Sequence, residues 1–116
     1  MENQPTAKVS DEMLSRIILR EFGEKADEIT KKLNQVESDS QEGKNRICAA
    51  ILRLANKDIN LIQYYIEKSN FDFRDVIAEA EYRKCSTHSF EEIENKNMDN
   101  IYREDWIEYS QWLEKK

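Results

Sequence analysis

Apolar residues recur at three- and four-residue spacing almost throughout this chain, and only Gly23, Gly43 and Pro5 supply glycine or proline in 116 residues. Sheets and hairpins use those two residue types to turn, whereas an apolar repeat near 3.6 residues sets one face of a helix against a core. Charged side chains make up 36% of the sequence and can cover the opposite faces. The pattern therefore predicts an all-α, single-domain bundle of five to six helices joined by short polar turns. A chain of this length can bury roughly 65% of its unfolded surface in one core.

The expected organisation is a disordered arm over 1–9, a helical core over 10–83, and a linker with an aromatic C-terminal helix over 84–116. Ser10 is a suitable N-cap, followed by Asp11 and Glu12 where the helix dipole favours acids. Helix 1 then runs to about Phe22 with Met13, Leu14, Ile17 and Ile18 inward, Arg16 and Arg20 outward, and Gly23 as its stop. A second helix is expected over 24–37 and a polar loop over 37–43. A third helix over 44–55 is apolar nearly half-way round and should be central. Asn56-Lys57 reads as a tight turn into a fourth helix capped by Asp58, with Leu61, Ile62, Tyr65 and Ile66 inward. Ser69-Asn70 should end it, and Asp72 can cap a fifth, with Phe73, Val76, Ile77 and Ala80 inward. Ser89 and Glu92 form a capping box for one short turn. From Met98 a last helix carries Met98, Ile101, Tyr102, Trp106, Tyr109, Trp112 and Leu113, a stripe containing both tryptophans.

Charge narrows the function classes. The net charge is −6. Residues 1–84 carry 16 acidic and 14 basic groups, residues 85–116 carry 8 and 4, so the excess is concentrated in the tail. An acidic protein without a basic stripe repels phosphate backbones, and no nucleic-acid partner is expected. No apolar run approaches the ~18 residues of a membrane span, so no membrane partner is expected either. The N-terminus lacks a signal-peptide pattern, and two cysteines, one inside an apolar helical face, do not make a disulfide framework. The expected compartment is the cytoplasm.

Catalytic signatures are weak. Cys85 and His88 make only half a zinc site or a thiol–imidazole pair, and read as loop residues. Asp72, Asp75, Glu79 and Glu81, with Glu67 nearby, share helix faces and could hold a divalent metal. They lack the E-x-x-H companion of di-metal bundles and lie beside Arg74 and Arg83, which suits a solvated, salt-bridged face. Gly43-Lys44 lacks the rest of a phosphate loop and reads as a turn into helix 3. No cofactor and no metal are expected. The aromatic stripe of Tyr102, Trp106, Tyr109 and Trp112 is the candidate interaction site; the alternatives are packing on its own bundle or helix-in-groove recognition of a partner.

Several segments resemble a known group. They are Phe22-Gly23-Glu24-Lys25-Ala26-Asp27, Arg46 with Ala49-Ala50-Ile51-Leu52-Arg53-Leu54-Ala55, Asp58 with Leu61, and Asp72-Phe73-Arg74-Asp75-Val76-Ile77-Ala78-Glu79-Ala80-Glu81-Tyr82. Over about 13–82 the chain resembles a group of small uncharacterised bacterial all-helical proteins that share a D-x-R-D-V-I/L-x-x-A-E-Y run. The resemblance implies a bacterial source and brings no activity with it. Within that run, Arg74 and Asp75 are a candidate ion pair, with Arg74 reaching a carboxylate of another helix, or a candidate anion site. The expected function is that of a non-catalytic protein-interaction module of unknown partner, acting as a monomer or homodimer. The alternatives are an immunity or inhibitor protein whose acidic surface covers a basic partner such as a nuclease toxin, and a divalent-metal hydrolase using the helix 5 carboxylates.

Overall fold

A computed structural model describes residues 8–81 and 98–115, of which 98–102 by backbone alone. All regular structure among them is helical. Helix α1, Asp11–Phe22, begins where the Ser10 hydroxyl accepts the Met13 amide at 3.1 Å. It stops at Gly23, whose φ of +51° is open to glycine at little cost. A 3-10 turn, Gly23–Lys25, leads into α2, Ala26–Leu33, so the second helix is shorter than its expected 24–37.

Helix α3, Gln41–Ala55, starts three residues before the expected 44 because Ser40 caps it, accepting the Gly43 amide at 3.0 Å. Gly43 thus lies in the first helical turn instead of a preceding loop. A Cβ there would fall 2.8 Å from Ser38 Oγ and 3.0 Å from Ser40 Oγ, so glycine is what lets the linker fold tightly onto the cap. Asn56 and Lys57 both take the left-handed conformation, and the Asp58 carboxylate accepts the Asn60 amide at 2.9 Å.

The helices expected as the fourth and fifth run as one element, α4, Ile59–Glu81, bent at Asp72 (φ −153°, ψ 90°). Asp72 does act as a cap at the bend, accepting the Arg74 amide at 3.1 Å. The Lys68–Glu79 ion pair at 2.6 Å ties the two arms together. Helix α5 spans Met98–Glu114. The Ser89–Glu92 box, Tyr82, Arg83, Cys85 and His88 lie outside the described residues, as do residues 1–7 of the arm.

The core forms around α3. Ile47, Cys48, Ala49, Ala50, Ile51, Leu52 and Ala55 are all buried, and the small alanines let α1 and α4 approach closely. Ile17 and Ile18 of α1, Ile29 and Leu33 of α2, and Ile62, Ile66, Val76, Ile77 and Ala80 of α4 complete it. Each fully buried Ile or Leu contributes about 1.5–3 kcal/mol through area removed from water. Val9, expected in the frayed arm, is buried too. Its carbonyl accepts from Asn45 Nδ2 at 3.1 Å, and the same amide group donates to Asp11 at 2.7 Å, which pins the entry to α1.

Helix α5 lies against α1 and α4 with Tyr109 and Leu113 buried. Arg20, expected outside, folds onto the end of α5: Nη1 donates to the carbonyl of Trp112 at 2.9 Å and to that of Lys115. One turn earlier, Arg16 Nη2 donates to the Leu113 carbonyl at 3.3 Å. Two guanidinium groups thereby satisfy carbonyls that a helix C-terminus leaves open, at its negative dipole end. The guanidinium carbons of Arg20 and Arg53 lie 4.9 and 5.5 Å from the Trp112 ring centroid, adding cation–π attraction.

Candidate interaction surface

The residues singled out from sequence separate into those that hold the fold and those that face water. Arg74 and Asp75 are both exposed, and among the described residues neither has an ion-pair partner. Val76, Ile77 and Ala80 turn inward after the bend, which points positions 74 and 75 outward; the Arg74 guanidinium lies 5.9 Å from the Phe73 ring. The cross-helix pair expected of Arg74 is made instead by Glu81, at the end of the same run. Glu81 takes both forks of Arg46, Nε at 2.9 Å and Nη2 at 2.8 Å, with its side chain 5% exposed and that of Arg46 27%. The sequence held the signal: Arg46 precedes an unbroken apolar face, and Glu81 lies one helical turn beyond Ile77.

The acids of α4 do not converge. Asp72 caps the bend, Asp75 faces water, Glu79 pairs with Lys68, Glu81 pairs with Arg46, and Glu67 accepts from Gln63 at 3.1 Å. Among the described residues no three His, Cys, Asp or Glu side chains lie close enough together to hold a metal ion. Cys48 is enclosed, and burial pushes its thiol up to about 12, Lys44 opposing the effect slightly. A thiol held protonated is a poor nucleophile.

The tail aromatics face inward. Tyr109 is buried, Trp106 and Trp112 are half-buried against the core, and the side chain of Tyr102 lies outside the described residues. Burial raises the Tyr109 hydroxyl well above its ordinary value; nearby Glu81 adds to this, while Arg53 and Arg46 oppose it. Tyr109 stacks on Trp112 with centroids 5.8 Å apart.

Among the described residues, most exposed large apolar side chains are on α4, the others being Leu19 of α1 and Ile107 of α5. Leu61, expected inward but exposed, follows one edge of the first arm of α4 with Tyr64 and Phe71, and Phe71 is 93% exposed. Phe73, expected inward, is 45% exposed just past the bend. Beside it opens a cleft of roughly 400 Å³ between the 37–40 linker, the start of α3 and the second arm of α4. Phe73, Ile47 and Ile77 form its apolar lining, Arg46 also lines it, and the exposed Glu37, Ser38, Asp39 and Ser40 form its rim. Its linker wall is fixed. Asn70 accepts the Glu37 amide at 2.9 Å and donates to the Gln35 carbonyl at 3.0 Å, while Gln63 donates to Gln35 at 3.3 Å. Sequence reasoning missed this surface because Phe73 keeps the three- and four-residue spacing of Val76 and Ile77, yet stands in the first turn after the Asp72 cap and is left exposed. Asp72, a capping residue between two phenylalanines, marks the place where the spacing restarts and cannot turn both rings inward.

No family model, curated protein or solved structure matches this chain.

Proposed function

We propose that the protein is a non-catalytic protein-interaction module whose contact surface is the bend of α4 and the cleft beside it. The observation that carries this reading is Phe71, 93% exposed. A phenylalanine left in water forgoes about 1.5–3 kcal/mol of burial, and the same helix also exposes Phe73, Tyr64 and Leu61. Aromatic side chains are the usual anchors of protein interfaces. The non-catalytic part of the reading draws support from the α4 carboxylates, which are dispersed among a cap, ion pairs and water. Action in the cytoplasm, as a monomer or homodimer, belongs to the same reading, and a buried free Cys48 suits a reducing compartment. Among the described residues no helix is long and apolar enough to cross a membrane. The run that resembles the small bacterial proteins specifies an aliphatic residue at 77 and Glu81 but leaves position 73 open, so membership of that group would carry the Arg46–Glu81 side of the cleft and not Phe73.

A second reading, an immunity or inhibitor protein that covers a basic partner, is favoured by Glu37 and Asp39 at the cleft rim. Affinity capture from the native host with quantitative mass spectrometry tests the proposal. Wild-type protein should enrich a partner that Phe71→Ser and Phe73→Ser variants lose. A partner retained by both variants but lost on Ile107→Ser, which changes the exposed side of α5, would move the interface to the tail.

A further inference from the structure

We infer that the cleft beside the α4 bend receives a basic peptide segment that inserts one aliphatic side chain. This rests on reading the bend as an interface and names the chemistry of what binds there. The floor is apolar, from Ile47, Ile77 and the Phe73 ring, so the inserted group is apolar. The charges around it come from three elements. The linker presents Glu37 and Asp39, both exposed and, among the described residues, without an ion-pair partner. From α3, Arg46 is engaged bidentately by Glu81, and Lys44 reaches away to the Asn34 carbonyl at 3.5 Å. From α4, the charged residues next to Phe73 along the chain are the half-buried Asp72 and the exposed Arg74 and Asp75, one more acid than base, none of which lines the cleft itself. The rim is therefore negative over an apolar floor. A partner presenting Lys or Arg on either side of a Leu, Ile or Val complements it, whereas an acidic segment meets repulsion.

The cleft is also pre-organised. Asn70 holds the linker backbone, Ser40 caps α3, and the Arg46–Glu81 pair ties α3 to α4. Little ordering entropy is left to lose on binding.

The test is an amide-resolved NMR titration of the full-length protein with two synthetic twelve-residue helices, one of Lys and Leu, the other of Glu and Leu. The Lys/Leu peptide should shift amides at 37–40, 47, 73 and 77 saturably. Asp39→Asn combined with Glu37→Gln should weaken it roughly tenfold, a loss of ~1.4 kcal/mol. Asp27→Asn with Glu28→Gln, an equal charge change on α2, should leave the affinity within twofold. Circular dichroism of both double variants should match wild type, because all four side chains are exposed. Equal weakening by the α2 pair, or shifts mapping elsewhere, would overturn the inference by reducing it to general attraction. A Glu/Leu peptide that prefers the cleft refutes the partner chemistry and leaves the interface reading standing. If neither peptide shifts a cleft amide while capture from the host still depends on Phe71, the inference fails alone.

Discussion

Replacing Glu81 with glutamine keeps the shape of the side chain and removes the charge opposite Arg46. The carboxylate is 5% exposed and accepts two guanidinium hydrogen bonds at 2.8 and 2.9 Å. Removing one partner of a fully buried ion pair costs about 3–5 kcal/mol, because the other charge is left without compensation. Two features reduce that here. The Arg46 side chain keeps 27% of its exposure, so water screens part of its charge, and glutamine retains one acceptor oxygen. The expected cost is thus about 2 kcal/mol, below the fully buried range. With an unfolding entropy near 2.1 cal/mol/K per residue, about 0.24 kcal/mol/K for this chain, the melting temperature should fall by about 8 °C. Urea denaturation of wild type, Glu81→Gln, and the double variant Arg46→Met/Glu81→Leu measures it. The double variant should recover to within about 1 kcal/mol of wild type, since well-packed apolar replacements of a buried pair are often near neutral. Arg74→Ala, on the exposed side of the same helix, should cost less than about 1 kcal/mol. A Glu81→Gln cost below about 0.5 kcal/mol, or an Arg74→Ala cost above that of Glu81→Gln, would refute the assignment of the structural pair.

Arg20→Ala removes the donor to the α5 carbonyls and a cation from the face of Trp112. It should cost about 1–3 kcal/mol and shift tryptophan emission to the red as Trp112 gains water; unchanged stability and emission would mean that α5 docks without it. Cys48 makes stability pH-dependent in the alkaline range. Its folded value, about 12, lies above its ordinary 9.0, so the folded state holds the proton more tightly. The stability this contributes is fully present below about pH 9 and declines as pH rises toward 12, by up to about 1.4 kcal/mol per unit. The raised Tyr109 hydroxyl adds a loss of the same sign. Cys48→Ala should flatten the alkaline slope relative to wild type, and an equal slope in both would contradict the burial argument.

The helical class and the place of α3 at the centre were legible because both follow from local rules: scarce glycine and proline, and an apolar face carried half-way round one segment. Caps at Ser10, Asp58 and Asp72 were legible for the same reason, since a capping side chain acts on a backbone amide two or three residues away. Long-range polar choices were not. Arg46 meets Glu81 across 35 positions, and Arg20 reaches the Trp112 carbonyl across 92; which of several arginines turns inward depends on where another helix lies. The exposure of Phe73 was not legible: it shares the spacing of Val76 and Ile77, and only the placement of the first turn after Asp72 against the rest of the bundle leaves its ring exposed.

Hydrogen–deuterium exchange of the full-length protein, free and bound to the partner captured from the host, tests the central claim most directly. Protection gained over 37–47 and 70–77, with 103–115 unchanged, is the expected result. Protection confined to 103–115 would contradict the account and return the interface to the aromatic tail.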